Sequence, residues 1–116
     1  MVKDEYMTRT FIQTSGFVRR WEELGFQDED LRQQEYEIMK NTKVGPVIRG
    51  TRGLRKMRFA FEQRGKRGSV RICYVDFSEK STVYLITVYS KKEKDNLTRE
   101  ECNKIKKLIE ILESSL

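Results

Sequence analysis

"VRICYVDFSEKSTVYLITVY", residues 70–89, is the stretch that decides the fold of this 116-residue chain. Residues 70–77 and 82–89 are rich in β-branched and aromatic side chains, and the short SEKS segment between them predicts a turn. Both segments are apolar at successive positions, which is typical of strands that are covered on both faces. We therefore expect a central antiparallel hairpin, with Cys73 in the core.

The residues before this hairpin predict a strand with two different faces. Over 54–61, Met57, Phe59 and Phe61 alternate with Lys56 and Arg58. Successive side chains of a strand point to opposite faces, so the apolar set is expected in the core and the two cations on the opposite face. The segment EQRGKRG, residues 62–68, predicts a basic hairpin loop.

Helical spacing and capping signals place the remaining elements. They predict a short strand over 8–13 and helices over 14–24, 29–41 and 98–114. Asp28 is expected to cap the second helix, and Thr98 with Glu101 to form a capping box on the third. The order predicts a small single α+β domain spanning 1–116. Its N-terminal helices and C-terminal helix would pack on one side of a mainly antiparallel sheet, leaving the other face for a ligand.

Composition excludes several classes of function. The chain has no histidine, which excludes a Ser-His-Asp triad and a histidine-based nuclease. Cys73 and Cys102 do not form a CxxC pair, so we expect two reduced thiols, no metal site and no cofactor. Neither a signal peptide nor a membrane-spanning run is visible, which favours a cytoplasmic protein.

The basic residues are concentrated in two places, although the net charge is only +6. Nine lie between 49 and 71: Arg49, Arg52, Arg55, Lys56, Arg58, Arg64, Lys66, Arg67 and Arg71. Lys91, Lys92 and Lys94 follow the last strand. In a sheet built from hairpins, both groups are expected to converge at one sheet end, where they would suit a phosphate backbone. Tyr74 and Tyr89 are expected either to stack on bases or to pack, half-buried, within the sheet.

Such a cluster has the groups that RNA cleavage by its own 2′-hydroxyl requires. Arginine can stabilise the charge that develops on the phosphorane. A lysine crowded by other cations can act as an acid or a base, because neighbouring charges lower its pKa. Binding without catalysis would give the same composition.

The segments GLRKMRFAFEQRGKRGSVRICYVDF (53–77) and VYLITVYSKKEKDNLT (83–98) resemble bacterial type II toxins. The resemblance is to the RelE/ParE superfamily, in its HigB-like branch, and covers about residues 44–112. It implies a RelE-like fold and a ribosome-dependent, metal-independent mRNA endonuclease. Such an enzyme inhibits translation by 2′-hydroxyl attack in the ribosomal A site, leaving a 2′,3′-cyclic phosphate.

The resemblance also implies partners. These are mRNA, the ribosome and a cognate HigA-like antitoxin with a helix-turn-helix DNA-binding domain. Operator DNA would be bound only through the toxin–antitoxin complex. No membrane contact is implied.

Motif matching assigns catalytic roles to four residues. Lys56 would serve as base or transition-state stabiliser, Arg58 as phosphate clamp, Arg71 as stabiliser of the phosphorane, and Lys92 as donor to the leaving group. Further RNA contacts are expected from Arg55, Arg64, Lys66, Arg67, Tyr74, Lys91 and Lys94. The chain departs from RelE at Thr98, near the place of a C-terminal catalytic tyrosine. Arg49 and Arg52 also depart from the smaller or neutral residues of HigB-like chains, and extra RNA contacts are one explanation.

Two other functions fit the same fold. One is a ParE-like inhibitor of DNA gyrase, which would not need the four cations and would be detected in a supercoiling assay. The other is an inactive RNA-binding module, which would bind RNA on ribosomes without cleaving it.

Overall fold

The computed structural model describes residues 9–63 and 65–116, except for the side chains of Gln63 and Lys66. These residues contain three α-helices and a four-stranded sheet. The elements are β1 (Thr10–Gln13), α1 (Ser15–Glu23), α2 (Asp28–Lys40), β2 (Arg55–Gln63), β3 (Lys66–Phe77), β4 (Thr82–Ser90) and α3 (Arg99–Ser114). The predicted α+β class is confirmed. Within the described ranges, no helix is both long and apolar enough to cross a membrane.

The sheet is mixed and has the strand order β1-β4-β3-β2. β1 runs parallel to β4, starting at the pair Thr10–Thr82, whereas β4, β3 and β2 are antiparallel neighbours. β4 and β3 are the central strands, as their continuous apolar sequence predicts. The first strand is shorter than expected, beginning at Thr10.

The β2–β3 hairpin is longer than the sequence suggested. Residues 62–68 were expected to form a loop, but the strands continue to the pair Gln63–Lys66. Gly65 has a φ of 75°, a conformation that glycine adopts at little cost in a tight connection. The opposed charges of Glu62 and Arg67, 3.4 Å apart, favour strand pairing over a loop.

One face of the sheet is closed by α1 and α2. Phe17, Trp21 and Ile38 from these helices pack on Met57 and Ile72 of the strands. Phe17 and Trp21 are stacked, with ring centroids 5.7 Å apart. This face holds the larger of the two core clusters, and its aromatic contacts contribute beyond the burial of area.

The helix caps fix how α1 and α2 enter this core. The Thr14 hydroxyl accepts a hydrogen bond from the Phe17 N–H (3.1 Å) and donates one to the Ile86 carbonyl (2.8 Å), so the cap also ties α1 to β4. The prediction that Asp28 caps α2 is wrong. Gln27 is the last extended residue, and its N–H donates to the Asp30 carboxylate at 2.9 Å.

The C-terminal helix packs on the opposite face, which corrects the expectation that all helices share one side. Ile105, Leu108, Ile109 and Leu112 of α3 cover Val75 and Ile86. The strands are apolar on this face too, so α3 can bury its stripe only there. The predicted capping box is confirmed: the Thr98 hydroxyl accepts from the Glu101 N–H (3.1 Å), and the Glu101 carboxylate accepts from the Thr98 N–H (2.8 Å).

Candidate functional site

Three of the four predicted catalytic cations lie together on the part of the α3 face that α3 leaves open. Arg58 of β2 stands directly opposite Arg71 of β3, and Lys56 lies two residues before Arg58 on the same face. All three line one cleft of about 400 Å³. Like charges placed directly opposite each other destabilise a strand pair. The arrangement therefore favours an anionic ligand, and we call these three residues the cationic cleft.

Asn96 holds the Lys56 side chain. The Lys56 Nζ donates a hydrogen bond to the Asn96 Oδ1 at 3.1 Å. Asn96 comes from the loop between β4 and α3, two residues before the Thr98 cap. Sequence reasoning missed this residue, because its local signal is only that of a chain approaching a helix cap. The contact reduces the number of rotamers open to a long, partly exposed side chain.

A second network positions the fourth cation, Lys92. The turn after β4 is closed by the Lys91 N–H, which donates to the Ser69 carbonyl at 3.1 Å. The Glu93 carboxylate accepts from the Ser90 N–H (3.0 Å) and from the Arg20 guanidinium of α1. The Ser90 N–H and the Arg20 charge hold the pKa of Glu93 below its ordinary value of 4.5. Lys91 and Lys92 are thereby presented, exposed, at the end of the sheet.

Lys92 and Arg58 line the same groove at the sheet end. This groove has a volume of about 1300 Å³ and also takes in Lys91 and Arg67. The Arg67 side chain is 86 % exposed. Arg58 therefore belongs to the cationic cleft and also lines this groove, where the second basic segment lies.

Lys94 is engaged with α3. Its Nζ donates to the Glu101 carboxylate at 2.6 Å and lies 5.8 Å from the centre of the Tyr89 ring. The Lys94 charge and the Thr98 N–H lower the pKa of Glu101. The predicted RNA contact at Lys94 would therefore compete with an ion pair that supports the capping box of α3.

The structure corrects the predicted RNA contact at Tyr74, which lies with Arg55 on the α1/α2 face. Tyr74 is fully buried; its O–H donates to the Thr42 carbonyl (2.9 Å) and accepts from the Gly45 N–H (3.2 Å). Burial raises the pKa of Tyr74. The Arg55 guanidinium donates to the Gly45 carbonyl at 2.8 Å. Both residues fasten the segment before β2 to the sheet.

Tyr89 and Cys73 lie beneath α3 on the site's own face. Tyr89 is 2 % exposed, which leaves no ring face open for a base to stack on. Burial raises the pKa of Tyr89 to about 12 and that of Cys73 to about 12. Cys73 is a buried free thiol, whereas Cys102 is free and only partly buried. Over 9–63 and 65–116, no three His, Cys, Asp or Glu side chains come close enough to hold a metal ion.

The other predicted contacts lie at the margins. Arg64 and the side chain of Lys66 fall outside the described residues. Arg49 is exposed in the loop before β2. The Arg52 guanidinium donates to the Glu113 carboxylate of α3 at 2.8 Å. This ion pair gives Arg52 a local structural contact, and the RNA contact that was one explanation for its presence stays a prediction.

A mixed sheet with helices on both faces and an exposed cationic cleft defines a small α+β protein suited to binding polyanions. The family model of the RelE toxin of the RelE/RelB toxin-antitoxin system matches residues 8–115. The chain belongs to this RelE toxin family.

Two solved structures are similar to this chain. A mutant of the E. coli toxin RelE in the free state has 17 % sequence identity and a TM-score of 0.53, covering 77 % of this chain and 90 % of that one. The intact E. coli RelBE toxin-antitoxin complex is also similar, with 18 % identity, a TM-score of 0.49, and coverage of 69 % of this chain and 93 % of that one. At 17 % identity, the likeness to the free RelE mutant concerns the fold.

Proposed function

We propose that this chain is a ribosome-dependent mRNA endonuclease that inhibits translation by cleaving mRNA in the ribosomal A site. The observation that carries the proposal is the pairing of Arg58 with Arg71, beside Lys56, on an open face of a RelE-family sheet. A scissile phosphate placed among these side chains would gain charge-assisted hydrogen bonds from several directions. It would also relieve the repulsion among them.

The reaction assigned to the site is an in-line transfer within the RNA. The 2′-oxygen attacks the adjacent phosphorus, the bond to the 5′-oxygen breaks, and the products carry a 2′,3′-cyclic phosphate and a 5′-hydroxyl. Lys56 accepts the proton of the 2′-hydroxyl, Arg58 binds the phosphate, and Arg71 stabilises the charge that develops on the phosphorane. Lys92 donates a proton to the leaving 5′-oxygen. Lysine and arginine thus supply the positive charge that the reaction needs.

Two further residues would position this machinery. Asn96 accepts from the Lys56 Nζ through an uncharged amide oxygen, which orients the amine without adding negative charge to the cleft. Glu93, bound to Arg20 and to the Ser90 N–H, fixes the turn that carries Lys92. Positioning matters here because a displacement of about 1 Å can cost about 100-fold in rate.

The finer assignments follow from the motif series at 53–77 and 83–98. We place the chain in the HigB-like branch and assign it a HigA-like antitoxin with a helix-turn-helix domain, through which operator DNA would be bound. A protein that acts on translating ribosomes would work in the cytoplasm. One acting unit over 1–116 is supported by two core clusters that share the same sheet.

Primer extension tests the proposal. A reporter mRNA is translated in a cell-free system with the purified protein, and a parallel reaction omits ribosomes. New 5′ ends at codon-spaced positions, present only with ribosomes, are the expected result. Lys56→Ala and Arg71→Ala should abolish these ends while leaving the far-ultraviolet circular dichroism unchanged.

The matched control is Lys106→Ala, which removes one exposed cation from α3. Its cleavage pattern should equal that of the unmodified protein. Intact mRNA on ribosomes that bind the protein would contradict the proposal and favour an inactive RNA-binding module. Full cleavage by both Lys56→Ala and Arg71→Ala would instead show that the active residues lie elsewhere.

A further inference from the structure

A groove beside the cationic cleft has features that cleavage alone does not require. The β3–β4 pairing ends at Val70–Ser90, whereas the β2–β3 pairing continues to Gln63–Lys66. The hairpin therefore projects beyond β4. The groove of about 1300 Å³ lies around this projecting part, bounded by Lys91 and Lys92 and by the turn between α1 and α2.

An aromatic ring of fixed orientation lines the groove. Phe61 packs edge to face against Phe26, with ring centroids 5.0 Å apart and an interplanar angle of 83°. The ring also lies against Gly68, where an added Cβ would be 2.7 Å from the Phe61 Cζ. A larger residue at 68 would require the ring to shift. Phe61 is nevertheless only partly buried and contributes to the groove lining.

Positive charge lines the rest of the groove, with Arg58 and Arg67 on the hairpin face opposite Phe61 and Lys91 and Lys92 beyond the end of β4. Glu62 is the one acidic residue among the groove's described lining residues. A ligand that fits must be anionic at short intervals and carry flat apolar groups between the charges. Single-stranded RNA has this pattern, since every base offers a π-face and every linkage a phosphate.

We propose that this groove binds the single-stranded RNA next to the cleaved phosphate, with one base stacked on Phe61 and the backbone on Arg67, Lys91 and Lys92. The inference rests on the proposed function and extends it, because Arg58 joins the cleft to the groove. It assigns Phe61 as a substrate-binding residue outside the basic motif. Stacking is tolerant of base identity, so the groove holds the strand without selecting its sequence.

Fluorescence anisotropy tests the groove without cleavage. The probe is a labelled octanucleotide that is 2′-O-methylated throughout, so that it has no attacking 2′-hydroxyl. Phe61→Leu keeps an apolar side chain against Phe26 and removes the stacking face; it should weaken binding roughly tenfold. Arg67→Ala should also weaken binding and lower the salt dependence by about 0.7 in the slope of log K against log [salt].

Two controls distinguish the contribution of stacking to binding from a general effect of charge and from misfolding of the variant. Lys107→Ala, which removes an exposed cation from α3, should bind the probe as the unmodified protein does. A probe with abasic positions should bind the unmodified protein as weakly as the intact probe binds Phe61→Leu. The comparison of abasic and intact probes on the unmodified protein holds even where Phe61→Leu proves unstable in a thermal melt.

The inference is overturned when Phe61→Leu and Arg67→Ala bind like the unmodified protein, when abasic and intact probes bind equally, or when the unmodified protein does not bind the probe. Ribosome-dependent cleavage that persists in those cases would leave the proposed function standing. Loss of cleavage with binding of the probe intact would contradict the proposed function and leave the assignment of the groove standing. An acidic peptide that binds with the same dependence on Phe61, where RNA does not bind, would identify a protein ligand instead.

Discussion

The two faces of the sheet differ in how completely they are covered. On one face, α1 and α2 bring Phe17, Trp21 and Phe26 against the strands and close a continuous apolar cluster. On the other, α3 covers Val75 and Ile86 but stops short of the part of β2 and β3 that carries the cationic cleft. The same strands therefore supply a core on one side and a candidate site on the other.

Because of this difference, two neighbouring residues of one strand can have different roles, one in stability and the other in activity. Arg71 and Ile72 are adjacent in β3, yet the first faces the open cleft and the second is fully buried under α1 and α2. A rigid closed face can hold cations in place on the open face, where they repel one another. Substitutions on the two faces should consequently affect different measurements.

The largest expected effect is on the closed face. Ile72→Ala should lower the free energy of unfolding by about 2–5 kcal/mol, because the side chain is fully buried in a central strand and its removal leaves a cavity. Urea unfolding followed by circular dichroism measures the change. A loss below about 1 kcal/mol would mean that this face repacks easily and is not the rigid support described here.

Arg71, the neighbour of Ile72, should have a large effect on cleavage and a small effect on stability. Arg71→Ala is expected to lower ribosome-dependent cleavage by about 10²–10³-fold, the usual cost of losing one group that stabilises transition-state charge. Its free energy of unfolding should change by less than about 0.5 kcal/mol, since the side chain is partly exposed and faces Arg58. A large loss of stability with unchanged cleavage would reverse the assignment of the two faces.

Asn96→Ala tests the positioning of Lys56. Cleavage should fall by roughly tenfold, the worth of one well-placed hydrogen bond. Asn103→Ala, at an exposed position on α3, is the matched control. Cleavage at the unmodified rate in Asn96→Ala would show that Lys56 does not depend on this contact for its position.

The smallest effect concerns the turn that carries Lys92. The pKa of Glu93 is lowered in the folded protein, so its contribution to stability is present above its ordinary value of 4.5 and is lost as the pH falls through the folded pKa. Glu93→Gln should therefore lower the free energy of unfolding at pH 7, by about 0.5 kcal/mol or less for so exposed a pair. The difference from the unmodified protein should vanish in acid. Glu22→Gln, also at an exposed position, is the matched control.

Local patterns predicted much of the closed face and of the helix ends. The alternation of Met57, Phe59 and Phe61 with Lys56 and Arg58 places each set correctly, because side-chain direction in a strand follows from period 2 alone. The Thr98–Glu101 capping box is equally local. These signals span a few residues and do not depend on the rest of the chain.

The errors came from features that local patterns do not encode. The apolar stripe of α3 requires burial, but the stripe alone does not determine which face of the sheet the helix packs on. β3 is apolar on both faces, so its pattern did not indicate which face the helices would leave open, although period 2 does put Tyr74 and Arg71 on opposite faces. The contact between Lys56 and Asn96 joins residues 40 positions apart and appears only once the loop before α3 is placed.

The position of β4 between β1 and β3 has a consequence for how the protein is made. β1 is synthesised early, but its partner in the sheet is residues 82–85. Pairings between such distant segments form late and slowly, because the intervening chain must first be closed into a loop. A ribosome that stops before residue 82 thus releases a fragment without β4, one of the two central strands of the sheet. Incomplete translation products of this toxin should be harmless to the cell that makes them.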